Sequence, residues 1–307
     1  MQKKAPIILS TLLAAVSCLS AAPRQDAPNL IVIMTDDQGY DDVSYSGGTE
    51  IPTPNIDRIA ADGAYFTDAY VTYTVCGPSR AGFITGRYQQ RFGFERNPAW
   101  RPQDPTVGLP VEERTLADVL GEVGYTSSII GKWHLGSHDN FHPLNRGFDE
   151  FYGHLGGGLR YFPDELYIRD YREARNEPES YLTWIVRNRE PVRTERYLTE
   201  EFTREALDFV RRQQDNPFFL FLSYNAPHAP MQAPEEEIAK FNHIKDERRR
   251  IYAAMVTVVD RGVGELLDLL DELNLSDNTI VFFLSDNGGP TPSNASSNSP
   301  LRGIKSS

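Results

Sequence analysis

Apolar residues along the chain fall into two alternating kinds of run. Short, β-rich apolar stretches occur at Leu30–Met34, Tyr125–Ile130, Phe218–Ser223 and Thr279–Leu284, each of strand length. Between them lie segments with helical patterning near Pro54–Asp62, Thr115–Val123, Thr199–Gln213 and Asp246–Leu273. Strands alternating with helices predict an α/β fold, a large and mostly parallel sheet flanked by helices. The segment Tyr161–Arg196 is polar, rich in Arg and Glu and without clear periodicity, and is expected to be a surface excursion that shapes a pocket rim. From Gly288 to Ser307 Gly, Pro, Ser and Asn dominate, so this tail reads in isolation as a loop or a disordered end.

The 307 residues, 40% of them hydrophobic and 11% aromatic, suffice for one large core or a core with a small appended subdomain. Lys3 and Lys4, an apolar stretch from Ile7 to Val16 and small residues from Ser17 to Ala22 form an export pattern. That apolar run is too short for a permanent bilayer span, so residues 1–22 read as a signal peptide and no transmembrane helix is expected in the mature chain. The expected location is exported, periplasmic or secreted. Cys18, after Ala15-Val16-Ser17, leaves lipoprotein anchoring open.

An exported chain has access to disulfides, yet beyond the signal segment it keeps only Cys76. A lone thiol is either a small core residue or a chemically used one. The net charge of −12 argues against nucleic-acid partners, and an anionic substrate would need a locally positive pocket.

The expected strands end in residues that metals and anions need, and in open α/β sheets sites form beyond the strand carboxyl ends. The first ends in Thr35-Asp36-Asp37-Gln38-Gly39 and the fourth in Ser285-Asp286-Asn287-Gly288-Gly289. Carboxylates and an amide oxygen are hard ligands that suit calcium or magnesium better than zinc. Either segment alone reads first as a turn or helix cap, and it is the presence of both at matching strand ends that points to a metal. Gly131-Lys132-Trp133-His134-Leu135-Gly136 follows the second strand and Asn225-Ala226-Pro227-His228-Ala229-Pro230 the third, each bringing an imidazole toward the same sheet edge. His138, His142, His154 and His243 lack ligand-like spacing and read as ordinary loop residues, with His154 a candidate rim contact.

Cys76 opens the run Cys76-Gly77-Pro78-Ser79-Arg80-Ala81-Gly82-Phe83-Ile84-Thr85-Gly86-Arg87. Pro78 near a first turn and Gly86 near the end predict a short helix, whose N-terminus would favour an anion at Cys76. CGPSRAGFITGR resembles the signature of the formylglycine-dependent (type I) sulfatases of the alkaline phosphatase superfamily. The segments APNLIVIMTDDQGYDD, IPTPNIDRIAADG, GKWHLG, NRGFDEFYG, NAPHAP, SDNGG and LRGIK resemble further family segments, in family order.

The resemblance implies an alkaline phosphatase-like sulfatase fold and a sulfuric ester hydrolase. It implies that Cys76 is converted by a formylglycine-generating enzyme to an aldehyde, hydrated to a geminal diol. One diol oxygen would attack sulfur, and the second, once deprotonated, would expel sulfate and regenerate the aldehyde, an exit that a serine ester lacks. By the same resemblance Asp36, Asp37, Asp286 and Asn287 would bind a divalent cation, calcium in the first place, together with an oxygen of the modified Cys76. Arg80 and His134 would hold the formylglycine, Lys132 and Lys305 the sulfate oxygens, and His228 would protonate the leaving alcohol. Read without the motif, Arg80, Lys132 and Lys305 would be ordinary surface or cap-pairing charges.

Family members continue past the segment resembling LRGIK into a smaller C-terminal subdomain. Residues 23–307 are therefore expected to be a sulfatase catalytic domain truncated at its C-terminus. A sulfated small molecule or glycan is the expected substrate, with a sulfated carbohydrate favoured. Two readings compete: a phosphodiester or phosphonate ester hydrolase of the same superfamily, and a truncated, non-catalytic glycan-binding relic.

Overall fold

The computed structural model describes residues 27–307, so the expected signal peptide and Cys18 lie outside the described residues. Strands β1 (Asn29–Thr35), β2 (Thr126–Lys132), β3 (Glu150–His154), β4 (Ile185–Arg187), β5 (Glu190–Val192), β6 (Phe218–Ser223) and β7 (Thr279–Ser285) form one seven-stranded sheet. Their order is β5-β4-β3-β2-β6-β1-β7. The pairings from β7 through β1, β6 and β2 to β3 are parallel, and β4 and β5 add an antiparallel hairpin. The helices are α1 (Pro54–Asp62), α2 (Cys76–Thr85), α3 (Leu116–Gly121), α4 (Glu177–Ser180), α5 (Leu198–Gln213), α6 (Glu235–Ala239), α7 (Glu247–Glu272) and α8 (Thr291–Asn294). This is the α/β architecture that the alternating pattern predicts.

Successive strand side chains point to opposite faces, and the central strands feed two cores in that way. Ile31, Ile33, Leu220 and Leu222 pack with Phe202 and Phe209 of α5 and Val256 and Val263 of α7. Val32, Met34, Phe219 and Phe221 pack on the other face with Ala81 and Ile84 of α2 and Ala117 of α3. Each fully buried side chain of this size contributes about 1.5–3 kcal/mol. The central strands are thereby fixed in position, and their tips with them. Helix ends follow local chemistry. Asp246 caps α7 by accepting the Arg249 N–H at 3.1 Å, and α2 stops at Gly86, whose φ of 62° is left-handed.

The structure departs from the sequence pattern in one place and decides between two open readings in another. Tyr161–Arg196 is more than a surface excursion, since it carries α4 and the β4–β5 hairpin, and Ile185 and Val186 are 0% and 1% exposed. Three-residue strands are too short to show a period. The tail after β7 is also ordered. Asn294 Nδ2 donates to the Asp37 carbonyl at 3.1 Å, the Ser297 N–H to Asp42 Oδ2 at 2.8 Å, and Asn298 Nδ2 to the Gly289 carbonyl at 2.8 Å. Its side chains and backbone bond to the loop after β1 and to one another, an arrangement that composition alone does not distinguish from solvation.

Candidate active site

Four adjacent strands end side by side, and each is followed by a chemically active residue. Asp36 and Asp37 follow β1, Asp286 and Asn287 follow β7, Lys132 closes β2 with His134 just beyond it, and His228 lies on the loop after β6. Cys76 is the first residue of α2, so the positive end of a ten-residue helix faces the same edge. Lys305 reaches in from the tail, where its N–H donates to the Gly289 carbonyl and the next N–H, of Ser306, donates to the Thr74 carbonyl at 3.0 Å.

Three cations and three carboxylates alternate here. Lys132 Nζ lies 2.5 Å from Asp36 Oδ2, Arg80 Nε 2.9 Å from Asp286 Oδ2, and Lys305 Nζ 2.7 Å from Asp37 Oδ1. Lys305 Nζ is also 3.1 Å from Cys76 Sγ, and Cys76 Sγ is 3.4 Å from Asp36 Oδ1. Arg80 Nη1 donates to Ser223 Oγ at 2.6 Å and to the Lys132 carbonyl at 3.2 Å, which ties α2 to the tips of β6 and β2. His228 Nε2 stands 3.7 Å from Asp37 Oδ2, and its Nδ1 is 2.6 Å from the Ala229 carbonyl.

The protonation of the cluster follows from burial and these neighbours. Burial pushes the Asp36 carboxyl up, but Lys132, His228 and Arg80 together hold it below its ordinary value. Asp286 is raised, first by burial and then by Asp36. Burial, with Asp36 beside it, pushes the Cys76 thiol far up, so the unmodified side chain is a poor thiolate. Burial and then Lys132 and Arg80 hold His134 neutral, well below its usual value. Burial works against the charge on Lys305, but the surrounding carboxylates Asp36, Asp37 and Asp286 outweigh it and Lys305 stays charged.

The backbone is constrained at the same place. Asp37 (φ 63°) and His134 (φ 58°) both occupy the left-handed region, where a side chain costs about 1–2 kcal/mol. Gly131 (φ 113°) is packed so closely that a Cβ there would lie 1.9 Å from the Ser223 carbonyl oxygen.

The donor set fits a hard divalent cation. Single ligand atoms of Asp36, Asp37, Cys76 and Asp286 lie within 4.8 Å of one another. Asn287 Nδ2 donates to Asp37 Oδ1 at 2.7 Å, while its Oδ1, buried beside those carboxylates, has no partner. A buried acceptor without a donor is costly, and a cation would satisfy it. Arg80 Nη2 is the matching buried donor without an acceptor, suited to an anion.

A cavity of about 510 Å³ opens above Cys76, with His134 and His228 also on its wall. The structure thus brings all ten sequence-predicted residues to one sheet edge. It adds wall residues that carried no sequence signal, including Trp100, Glu177 and Tyr181. Glu177 and Tyr181 fall within the segment expected to shape a rim, whereas nothing in the sequence points to Trp100. The triple glycine 156–158 is closely packed, since a Cβ on Gly157 would meet Glu177 Oε1 at 2.7 Å and His134 Nε2 at 3.1 Å.

His154 is corrected from a rim contact to a buried residue of β3, 3% exposed and paired in register with Lys132. His138 and His142 accept backbone N–H groups at the starts of short 3-10 turns, and His243 is an exposed loop residue. Among the described residues no helix is long and apolar enough to cross a membrane.

A family model described as Sulfatase matches residues 28–307. A canine (Canis lupus familiaris) protein named N-acetylgalactosamine-6-sulfatase is 38% identical over 299 residues, covering 92% of this chain and 55% of that protein. The crystal structure of Ps i-CgsB in complex with k-i-k-neocarrahexaose is 43% identical with a TM-score of 0.84, over 91% of this chain and 62% of that one. That of PsFucS1 sulfatase from Pseudoalteromonas sp. is 29% identical with a TM-score of 0.71, over 91% of this chain and 59% of that one. The chain therefore spans little more than half the length of the curated relative it matches.

Proposed function

The chain belongs to the sulfatase family, and from that premise we propose that it hydrolyses a sulfate ester of a sulfated carbohydrate at a formylglycine formed from Cys76. The observation that carries this reading is the meeting of Cys76, at the N-terminus of α2, with two buried cations, the half-buried Lys305 and three carboxylates beneath one cavity. A relative named N-acetylgalactosamine-6-sulfatase and a neighbour crystallised with k-i-k-neocarrahexaose support a sugar as the alcohol part.

Asp36, Asp37, Asp286 and Asn287 would hold a divalent cation, calcium by its preference for such oxygens, which supplies charge that eases deprotonation of the hydrate and polarises the sulfate. The remaining chemistry belongs to the chain's own side chains. Arg80 bridges α2 and Asp286 and keeps an unpartnered Nη2 for an anionic oxygen. Lys132 and Lys305 place fixed positive charge where sulfate oxygens gain negative charge. Neutral His134 orients the hydrate. His228 Nδ1–H donates to the Ala229 carbonyl, so it is the doubly protonated ring, with a second proton on Nε2 at the cavity side near Asp37, that would give that Nε2 proton to the departing alkoxide and be left neutral.

The export pattern at Lys3–Ala22 supports an exported protein, periplasmic or secreted, that meets a formylglycine-generating enzyme during maturation. Peptide mass spectrometry across Cys76, paired with assay of sulfate release from sulfated sugars, tests the reading. An aldehyde at position 76 and sulfate release abolished by Cys76→Ala are expected. A thiol with glycan binding and no turnover would instead mean a non-catalytic binder, and phosphodiester turnover far above sulfate release would mean the other hydrolase.

A further inference from the structure

Two arginines on the cavity wall play no part in the chemistry above. Arg101 and Arg175 both line the space over Cys76, and both are exposed, whereas Cys76 and His134 are buried at its floor. Their backbones are held. The Arg101 N–H donates to Ser137 Oγ at 2.9 Å and the Arg175 N–H to Glu179 Oε2 at 3.0 Å. Among the described residues their guanidinium groups make no hydrogen bond or ion pair. This is notable in a chain with 43 acidic and 31 basic residues, where arginines such as Arg187 and Arg204 are tied to carboxylates.

The two are presented from segments locked to each other. Trp100 Nε1 donates to the Ala174 carbonyl at 2.9 Å, and the Trp100 ring meets Tyr171 edge-on at 6.2 Å. Arg101 and Arg175 are the residues immediately after the two bonded ones. Among the described residues the one carboxylate on the cavity wall, Glu177, is occupied by the Gly157 N–H at 2.6 Å, and burial raises its pKa. Asp104 lies near Arg101 and Glu179 near Arg175, but among the described residues no carboxylate bonds either guanidinium, and planar guanidinium forks match the oxygens of sulfate and carboxylate.

We propose that Arg101 and Arg175 form a second anion subsite, reading an acidic group on the substrate beside the scissile sulfate, so that the preferred substrate is a polyanionic glycan rather than a singly sulfated sugar. The inference rests on the sulfate-ester reading and names the substrate class of that same site.

The test measures binding, so it stays readable if turnover fails. In full-length protein carrying Cys76→Ala, calorimetry compares an oligosaccharide bearing one sulfate with matched oligosaccharides bearing a second anion, sulfate in one arm and hexuronate carboxylate in the other. The parent is expected to favour a doubly anionic sugar about tenfold or more, the ratio that one or two charge-assisted hydrogen bonds supply. R101A/R175A should bring that ratio to about one, R101K/R175K should restore part of it, and the arm with the larger ratio identifies the anion. A parent ratio near one, a ratio unchanged in R101A/R175A, or equal loss on single and double anions overturns the subsite. Absence of sulfate release from Cys76-intact protein with the ratio preserved would overturn the catalytic reading and leave the subsite standing.

Discussion

Lys132 and Asp36 are each 0% exposed and 2.5 Å apart, so neither charge tolerates loss of the other. Removing one member of a buried pair strands its partner without solvent, which costs roughly 3–5 kcal/mol. Lys132→Met is therefore expected to lower unfolding stability by that order in urea titrations, while an exposed pair such as Arg58–Asp268 changes it by less than about 1 kcal/mol. His228 offers a test on activity. Its proposed proton is needed where the alcohol leaves poorly, so His228→Ala should slow hydrolysis of a sugar sulfate by about 10²–10⁴-fold and of an activated aryl sulfate much less. Equal loss on both substrates, in parallel rate assays, would remove the proton-donor role.

The longer elements were legible in the sequence. The limits of α1 and β6 coincide with the apolar pattern, and the other central strands and long helices differ from it by one to three residues. The hairpin β4–β5 and strand β3 were not legible, because three to five residues give periodicity nothing to repeat. Nine of the ten expected site residues were legible because each lies at or just after a strand with a clear signal or in the Cys76 motif, whereas Lys305, on the tail, was reached only through the resemblance of LRGIK. Trp100 and Arg101 were not, since they come from an irregular segment placed by the Trp100–Ala174 contact.

Element geometry carries two further expectations. Gly131→Ala would press a methyl group against the Ser223 carbonyl in a left-handed backbone. It should lower stability by about 3 kcal/mol or more on thermal unfolding. His142 is 0% exposed after β2, accepts the Leu144 N–H at 3.3 Å and meets Phe151 edge-on at 5.2 Å. Burial, with Arg189 adding to it, lowers its pKa from 6.5 to about 4. The folded form thus resists protonation. The stabilisation is fully present above about pH 6.5 and is lost as pH falls toward 4, on the order of 3 kcal/mol across the window. A melting-temperature profile over that range should flatten in His142→Asn.

Among the described residues β7 is an edge of the sheet, and Ile280 and Phe282 on it are 48% and 46% exposed. An open edge with large apolar side chains invites pairing with another chain. The 307-residue chain by itself is expected to sediment above monomer mass, and Ile280→Lys with Phe282→Lys should shift it toward monomer. An unchanged distribution would mean that the edge is inert.

Closure of the centre over Cys76 also sets an order in time. In the folded chain the thiol is 1% exposed, and Lys305, which stands 229 residues later in the chain, lies 3.1 Å from it. At about 5–20 residues per second, synthesis separates the two by roughly 10–50 s. Any agent that must touch Cys76 therefore has a timer, started when residue 76 emerges and stopped when the tail docks. Alkylation of the unconverted thiol should be fast in urea and slowed in the native protein to the rate of opening, and Lys305→Ala should hold the window open longer.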